Sequence, residues 1–281
     1  MVLAGVQPWC FLLVLASKVL ASYLPAQPLF EDFVKLHVVE GTNTFDVYLE
    51  NLMFFDVTVT LEMTLTNLAA SDSLPLTTTL RGKERKKALA LKIQDRKKDG
   101  AYRSRYFFIM GNRYADHDTS YVYQLPYRIG SSHEVAQGYF GKYSHDESSH
   151  YAVDFVMPEG TPVCAAREGV VVGLYKASNT GGPHDKYLQH LNYVFVRHSD
   201  ATIGAYNHLH KDGVLVRIGE KVERGQVIAY SGSTGFSFAP HLHFEVYKAV
   251  DGKRTQSFPL KFATREGVVR VPIEGKAYIA R

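Results

Sequence analysis

Cysteine is nearly missing from this chain: 281 residues contain two, Cys10 and Cys164. Two thiols exclude a disulfide-stapled scaffold and a thiolate-rich metal site, so stability has to come from a packed core. Tryptophan occurs once, and neither charge dominates, with Lys+Arg minus Asp+Glu being 32 − 28 = +4. That mild excess is compatible with an anionic surface nearby and carries no nucleic-acid signature. Long apolar runs are also missing. The stretch CFLLVLAS at 10–17 is cut short by Lys18, whereas a membrane-spanning helix needs about 20 apolar residues. At 46% hydrophobic and 21% charged residues, the composition excludes a disordered tail, a collagen-like fibre and a polytopic membrane protein. What the chain does have is 18 Tyr, 16 Phe and 12 His. The aromatics favour strands, and many imidazoles with few thiols direct any metal chemistry to His and carboxylate ligands.

The first 21 residues read as a cleavable secretory signal, with a short apolar core and the small residues of Val19-Leu20-Ala21 at its end; an uncleaved anchor is the alternative. Cleavage removes Cys10 and any membrane span. Cys164, in Thr-Pro-Val-Cys-Ala-Ala, reads as a small buried hydrophobe and not a nucleophile.

Two all-β domains are expected after the signal. Over 24–125, runs such as FVKLHVVE (33–40), TVTLEMTLTNL (57–67) and YRSRYFFIM (102–110) alternate apolar and polar residues, as in an Ig-like antiparallel β-sandwich. His37 there reads as a strand residue. The basic run at 81–98 reads as a solvated turn and edge strand, where lysines block sheet-to-sheet pairing. Its sharper reading is attraction to an anionic envelope polymer. The polar, Tyr-rich segment 112–128 marks the boundary. The second domain, 129–281, has short strands between Gly-based turns, as in a compact β-barrel-like fold, and holds ten of the twelve histidines.

In His241-Leu242-His243-Phe244-Glu245-Val246, a strand places the two imidazoles and Glu245 on one face, with the apolar residues on the other. Imidazoles about 7 Å apart along such a strand can serve one site, one ligating and one facing substrate. Tyr206, His208 and His210 share a face by the same rule. His150 and Asp154 would lie about 13 Å apart on a straight strand, so a bend is needed to bring them to one metal. Two His and one Asp with a fourth position open would make a catalytic zinc site, since structural sites are closed by four protein ligands. Glu245 reads as packing at the strand end. His133, His184, His190 and His198 have no partner at ligand spacing and read as loop or surface residues, with His184-Asp185 in a loop that could border a groove.

The segments HYAVDFVMPEGTPV (150–163), YNHL (206–209) and GEKVERGQVIAYSGSTGFSFAPHLHFEV (219–246) resemble the lysostaphin- and LytM-type zinc metalloendopeptidases, which cut peptide cross-bridges in bacterial peptidoglycan. The resemblance spans about 130–250. It implies an all-β groove of the duplicated-hybrid-motif type with one Zn2+ on its floor, peptidoglycan as the partner, and a place in the periplasm or cell envelope of a bacterium. It implies His150, Asp154 and His243 as metal ligands, and His208 and His241 as the unmetallated pair that orients water and stabilises the transition state. His145 rivals His150, because some relatives carry Ser-His at the position of Ser144-His145; His150 is preferred for its spacing to Asp154. His210 shadows His208, but Tyr206-Asn207-His208-Leu209 fits the family pattern better. No H-E-x-x-H is present to supply a glutamate base. A non-catalytic envelope scaffold or activator on the same fold is the alternative function. A lipoyl-type carrier is discarded, because no lysine stands at a turn tip in the required context.

Overall fold

β-branched and aromatic residues at alternate positions give strands along nearly the whole chain. A computed structural model describes residues 33–145 and 147–281; the expected signal lies outside the described residues. The first seven strands are β1 (Val34–Gly41), β2 (Thr44–Asn51), β3 (Val57–Thr66), β4 (Leu68–Ala70), β5 (Leu76–Leu80), β6 (Arg85–Ile93) and β7 (Ala101–Met110). They form two antiparallel sheets, ordered β1-β2-β6-β4 and β5-β3-β7. Val47, Leu49, Leu89 and Leu91 from the first meet Val57, Val59, Leu61 and Phe108 from the second in one core. His37 is a strand residue, 2.6 Å from Glu50 on the neighbouring strand.

The strand in the basic run is not a plain sheet edge. β6 lies between β2 and β4, but β4 covers only Leu91–Ile93, so Arg85–Lys87 remain open on that side. Lys87 is held across the sheet by Asp46 at 2.8 Å.

The next strands are β8 (Val122–Gln124), β9 (Ser132–Gln137), β10 (Val153–Val156), β11 (Pro162–Cys164), β12 (Gly169–Tyr175) and β13 (Gly181–Gly182). A 3-10 helix over Asp185–His190 is followed by β14 (Tyr193–Arg197), β15 (Ile203–Asn207), β16 (Leu209–Val214), β17 (Lys221–Val222), β18 (Val227–Ser231) and β19 (Gly235–Phe236). The chain ends with β20 (His241–Ala249), β21 (Thr255–Ser257), β22 (Lys261–Thr264), β23 (Gly267–Val269) and β24 (Ala277–Ile279). The main sheet runs β17-β12-β14-β15-β20-β10-β9-β24, with β21 added to β20. A smaller sheet, β11-β18-β16, packs with it around Phe155, Leu209, Ile228, Leu242, Phe244 and Val246. Tyr123, Leu125 and Tyr127, from the segment expected as a boundary, pack in this second core. Cys164 is a free, buried thiol whose pKa burial pushes up to about 11, as an inert hydrophobe requires.

Both faces of the main sheet are used. On β20, Leu242, Phe244 and Val246 enter the second core, and Tyr247 on the opposite face enters the first. Val172, Ile203 and Ala205 join Tyr247 there, so the N-terminal sheets seat directly on the peptide layer that carries the histidines. The 250–254 loop fixes this seat. Gly252 N donates to Thr60 Oγ1 at 2.9 Å, and a Cβ on Gly252 would fall 2.3 Å from the Phe107 carbonyl oxygen. Lys253 pairs with Glu62 and lies over the Phe107 ring.

His198, expected in a loop or at the surface, is buried behind the main sheet. Its Nδ1 donates to the Glu168 carbonyl at 2.9 Å, and burial lowers its pKa from 6.5 to about 4.

Two expectations follow from this packing. Ile203→Ala opens a cavity in a core shared by both units and is expected to cost about 2–5 kcal/mol. Calorimetry should show one transition moved down as a whole; two transitions with only one displaced would contradict the shared core. The folded pKa of His198 lies below its unfolded value, so the unfolded chain binds the extra proton between about pH 4 and 6.5. Stability is therefore complete above that window and falls by about 3 kcal/mol as pH drops through it. His198→Asn should flatten this part of a denaturation-versus-pH curve.

Candidate metal centre

Four neighbouring strands bring the polar side chains into one row. Across β9, β10, β20 and β15 the register pairs Gln137 with Asp154, Asp154 with His243, and His243 with Asn207. Directly opposed residues on adjacent strands stand about 5 Å apart, close enough for side chains to touch. His243 Nδ1 lies 2.9 Å from Asp154 Oδ1, and Gln137 Nε2 donates to Asp154 Oδ2 at 3.0 Å.

His145 completes the cluster from the loop after β9. Its Nε2 is 3.3 Å from Asp154 Oδ2, and donor atoms of His145, Asp154 and His243 all lie within 4.8 Å of one another. All three residues are buried. His145 Nδ1 donates to the Gly138 carbonyl at 2.8 Å, which fixes the tautomer and leaves Nε2 as a lone pair. That buried Nε2 has no hydrogen-bond partner and faces a carboxylate oxygen. Two acceptors in this position repel unless a cation or a proton lies between them. The donor set therefore fits a metal ion: two imidazoles and a carboxylate, with the second nitrogen of a ligand anchored to a carbonyl.

His150, preferred from its spacing, is not in this cluster. Residues 147–151 form a turn, and the His150 ring packs against Phe140 with 5.1 Å between centroids. Its carbonyl accepts from Phe140 N at 2.7 Å. The bend that the spacing required is present, but it delivers His145 to Asp154.

Asp154 and His243 polarise each other. Burial works against the Asp154 carboxylate, yet the His145 and His243 imidazoles beside it hold its pKa well below the usual value. Burial likewise depresses His243, but Asp154 and Glu245 outweigh it and raise the imidazole to about 10. The two carboxylates thus create a potential that favours positive charge at this point. Glu245 is more than strand-end packing, since its Oε1 is 3.8 Å from His243 Nε2.

His208 and His241 stand beside the cluster, 4.4 Å apart by ring centroid, with His208 6.0 Å from His243. The expected Tyr206-His208-His210 face is broken. β15 ends at Asn207, His208 takes a left-handed φ of 62°, and β16 starts at Leu209. Such a backbone is strained for a non-glycine residue. It is held by His208 Nδ1 donating to the Thr234 carbonyl at 2.7 Å. Tyr206 goes into the core, and His210 is exposed with Nδ1 on the Lys211 carbonyl. His241 Nδ1 donates to the Ala239 carbonyl at 2.8 Å. In both rings the Nδ1 proton is committed and Nε2 is the basic atom. Burial, then His241 and His243, push the His208 pKa well below 6.5, which keeps it neutral.

His145, Asp154, His208, His241 and His243 line one groove of about 1500 Å3. Phe236, Phe238 and Asp185 border it, as do Ile109 and Met110 from the end of β7. Gln137 and the β7 contribution were not evident in the sequence; the only signal for Gln137 was its position on a strand leading into the Ser144-His145 loop.

Residues 148–257 match the model of peptidase family M23. His145 lies just before the matched span. An uncharacterized metalloprotease of Buchnera aphidicola is 32% identical over 145 residues, which are 52% of this chain and 35% of that protein. Peptidoglycan DD-endopeptidase ShyA of Vibrio cholerae is 41% identical over 97 residues, 34% of this chain and 20% of its own length. Among solved structures, the catalytic domain of lysostaphin from Staphylococcus simulans is 32% identical, with 45% of this chain and 87% of that one covered and a TM-score of 0.33. The chain thus spans roughly a fifth to a third of the length of these two curated relatives.

Proposed function

We propose that the chain is a zinc metalloendopeptidase that hydrolyses peptide bonds in the stem peptides or cross-bridges of bacterial peptidoglycan. The observation that carries this reading is the pairing of a buried His145-Asp154-His243 cluster with two further imidazoles, His208 and His241, in one open groove. The relatives named as peptidoglycan DD-endopeptidases support the substrate class.

His145, Asp154 and His243 would hold the ion, with His145 as first ligand in place of His150. Zinc in a site of two imidazoles and one carboxylate keeps a net charge of +1, and supplies Lewis acidity that polarises a peptide carbonyl and acidifies water. The chain's own residues do the rest. Because Nδ1 of His208 and of His241 is anchored to a carbonyl, Nε2 of one can take the proton of the attacking water and return it to the leaving amine. Nε2 of the other, carrying a proton taken up from solvent before the reaction, donates to the developing oxyanion. Burial of His208 keeps it in the neutral form that accepts a proton.

On this reading residues 1–21 are an export signal, 24–125 an Ig-like sandwich and 129–281 the peptidase domain, acting in the periplasm or cell envelope. The sandwich bounds the substrate groove through Ile109 and Met110.

Purified residues 22–281 are expected to bind about one zinc per chain and to release fragments from cell-wall sacculi. His145→Ala and His243→Ala should lose the metal, and His150→Ala should retain it. His241→Ala should keep the zinc and lose about 10²–10⁴ in rate. Zinc content by atomic emission and muropeptide release by mass spectrometry read the two properties separately. Metal-loaded protein that leaves sacculi intact would favour the scaffold or activator function instead.

A further inference from the structure

Gln137 is a side chain that the proposed reaction leaves without a role, yet it is 5% exposed and every polar group of its amide is engaged at the metal cluster. Nε2 donates one hydrogen to Asp154 Oδ2 at 3.0 Å and the other to Ser144 Oγ at 2.9 Å. Oε1 accepts from Tyr143 N at 2.8 Å. The amide therefore joins a strand residue, Asp154, to the loop residues that immediately precede His145.

The loop is shaped around this amide. A Cβ on Gly141 would fall 2.0 Å from Gln137 Cγ and 2.4 Å from Cδ, so a side chain there cannot coexist with Gln137 in place. The loop starts at Gly138, whose carbonyl accepts from His145 Nδ1, and it returns to that carbonyl after passing over Gln137. Gln137 is also the cross-strand partner of Asp154, which fixes its reach by sheet register alone.

From this we infer that Gln137 is the positioning residue for the metal centre, setting two of its three donors at once. It orients the Asp154 carboxylate directly, and through Tyr143 and Ser144 it folds the loop that delivers His145 Nε2. The inference rests on the proposed ligand set of His145, Asp154 and His243. An amide suits this place because it combines two N–H donors, one for a carboxylate and one for a hydroxyl, with an acceptor for a backbone N–H. Neither a glutamate nor an apolar residue of the same length offers that combination. Hydrogen-bonded partners of ligands typically change metal affinity about 10–100-fold when removed.

The test measures zinc affinity by competition with a chromophoric chelator, together with the melting temperature of the metal-free protein. Gln137→Met keeps the volume and removes the hydrogen bonds. Gly141→Ala keeps every polar group and pushes the loop off the amide. Both are expected to weaken zinc binding about 10–100-fold, with the metal-free melting temperature falling by much less than that of the zinc-loaded protein. His150→Ala serves as the reference, with wild-type affinity. If Gln137→Met does not fold, Gly141→Ala alone decides. Zinc affinity within twofold of wild type in a folded variant overturns the positioning role while leaving the ligand set intact. A wild-type protein that binds no zinc overturns the ligand set beneath it.

Discussion

A buried carboxylate between two imidazoles is the arrangement on which the rest depends. Asp154 is 6% exposed, and an ionised carboxylate withdrawn from water is costly unless partners compensate it. Compensation comes from both sides of the strand: His243 from β20, and Gln137 from β9. Each is placed by sheet register, so the geometry is rigid before any substrate arrives. The remaining lone pairs, including the orphaned Nε2 of His145, converge where a cation would satisfy them. A site of this kind is polar in the middle of an apolar sheet, and only a positive charge makes it electrostatically coherent.

The apolar part of the fold keeps that geometry stiff. Leu242, Phe244 and Val246 lock one face of β20 in the second core, which holds His241, His243 and Glu245 on the other face toward the groove. Farther along the same face, Tyr247 passes under the N-terminal sheets, and Met110 from those sheets lines the groove. The N-terminal unit is thus built into the layer that carries the site, and it bounds the space available to a substrate. The 250–254 loop, pinned by Gly252 and Lys253, makes the same connection from the other direction.

Much of this was legible from residues 241–246, because a period of two assigns faces without further information. The all-β class and the shared face of His241, His243 and Glu245 follow from such local patterns, whereas Asp154 and His208 entered through the resemblance of 150–163 and 206–209 to the zinc metalloendopeptidases. The third member of the cluster did not. Spacing favoured His150, but spacing along a chain locates a side chain only while the chain stays regular, and 147–151 is a turn. His145 lies in a loop that hydrogen-bonds Gln137 through Tyr143 and packs on it at Gly141, where no side chain fits, and these are contacts of the tertiary structure. His208 illustrates the same limit. Its partner is the carbonyl of Thr234, 26 residues away, and its left-handed backbone breaks the alternation that its neighbours suggest. The burial of His198 was equally hidden, since it follows from the stacking of sheets and not from the residues around it.

The central claim is that His145, Asp154 and His243 form one cation site. The most direct measurement is a crystal structure of the zinc-loaded protein with anomalous differences recorded on both sides of the zinc absorption edge. The account predicts a single strong peak within bonding distance of His145 Nε2, an Asp154 carboxylate oxygen and His243 Nδ1, with His208 and His241 unbound beside it. A peak coordinated by His150, or no peak among these three residues, would contradict it.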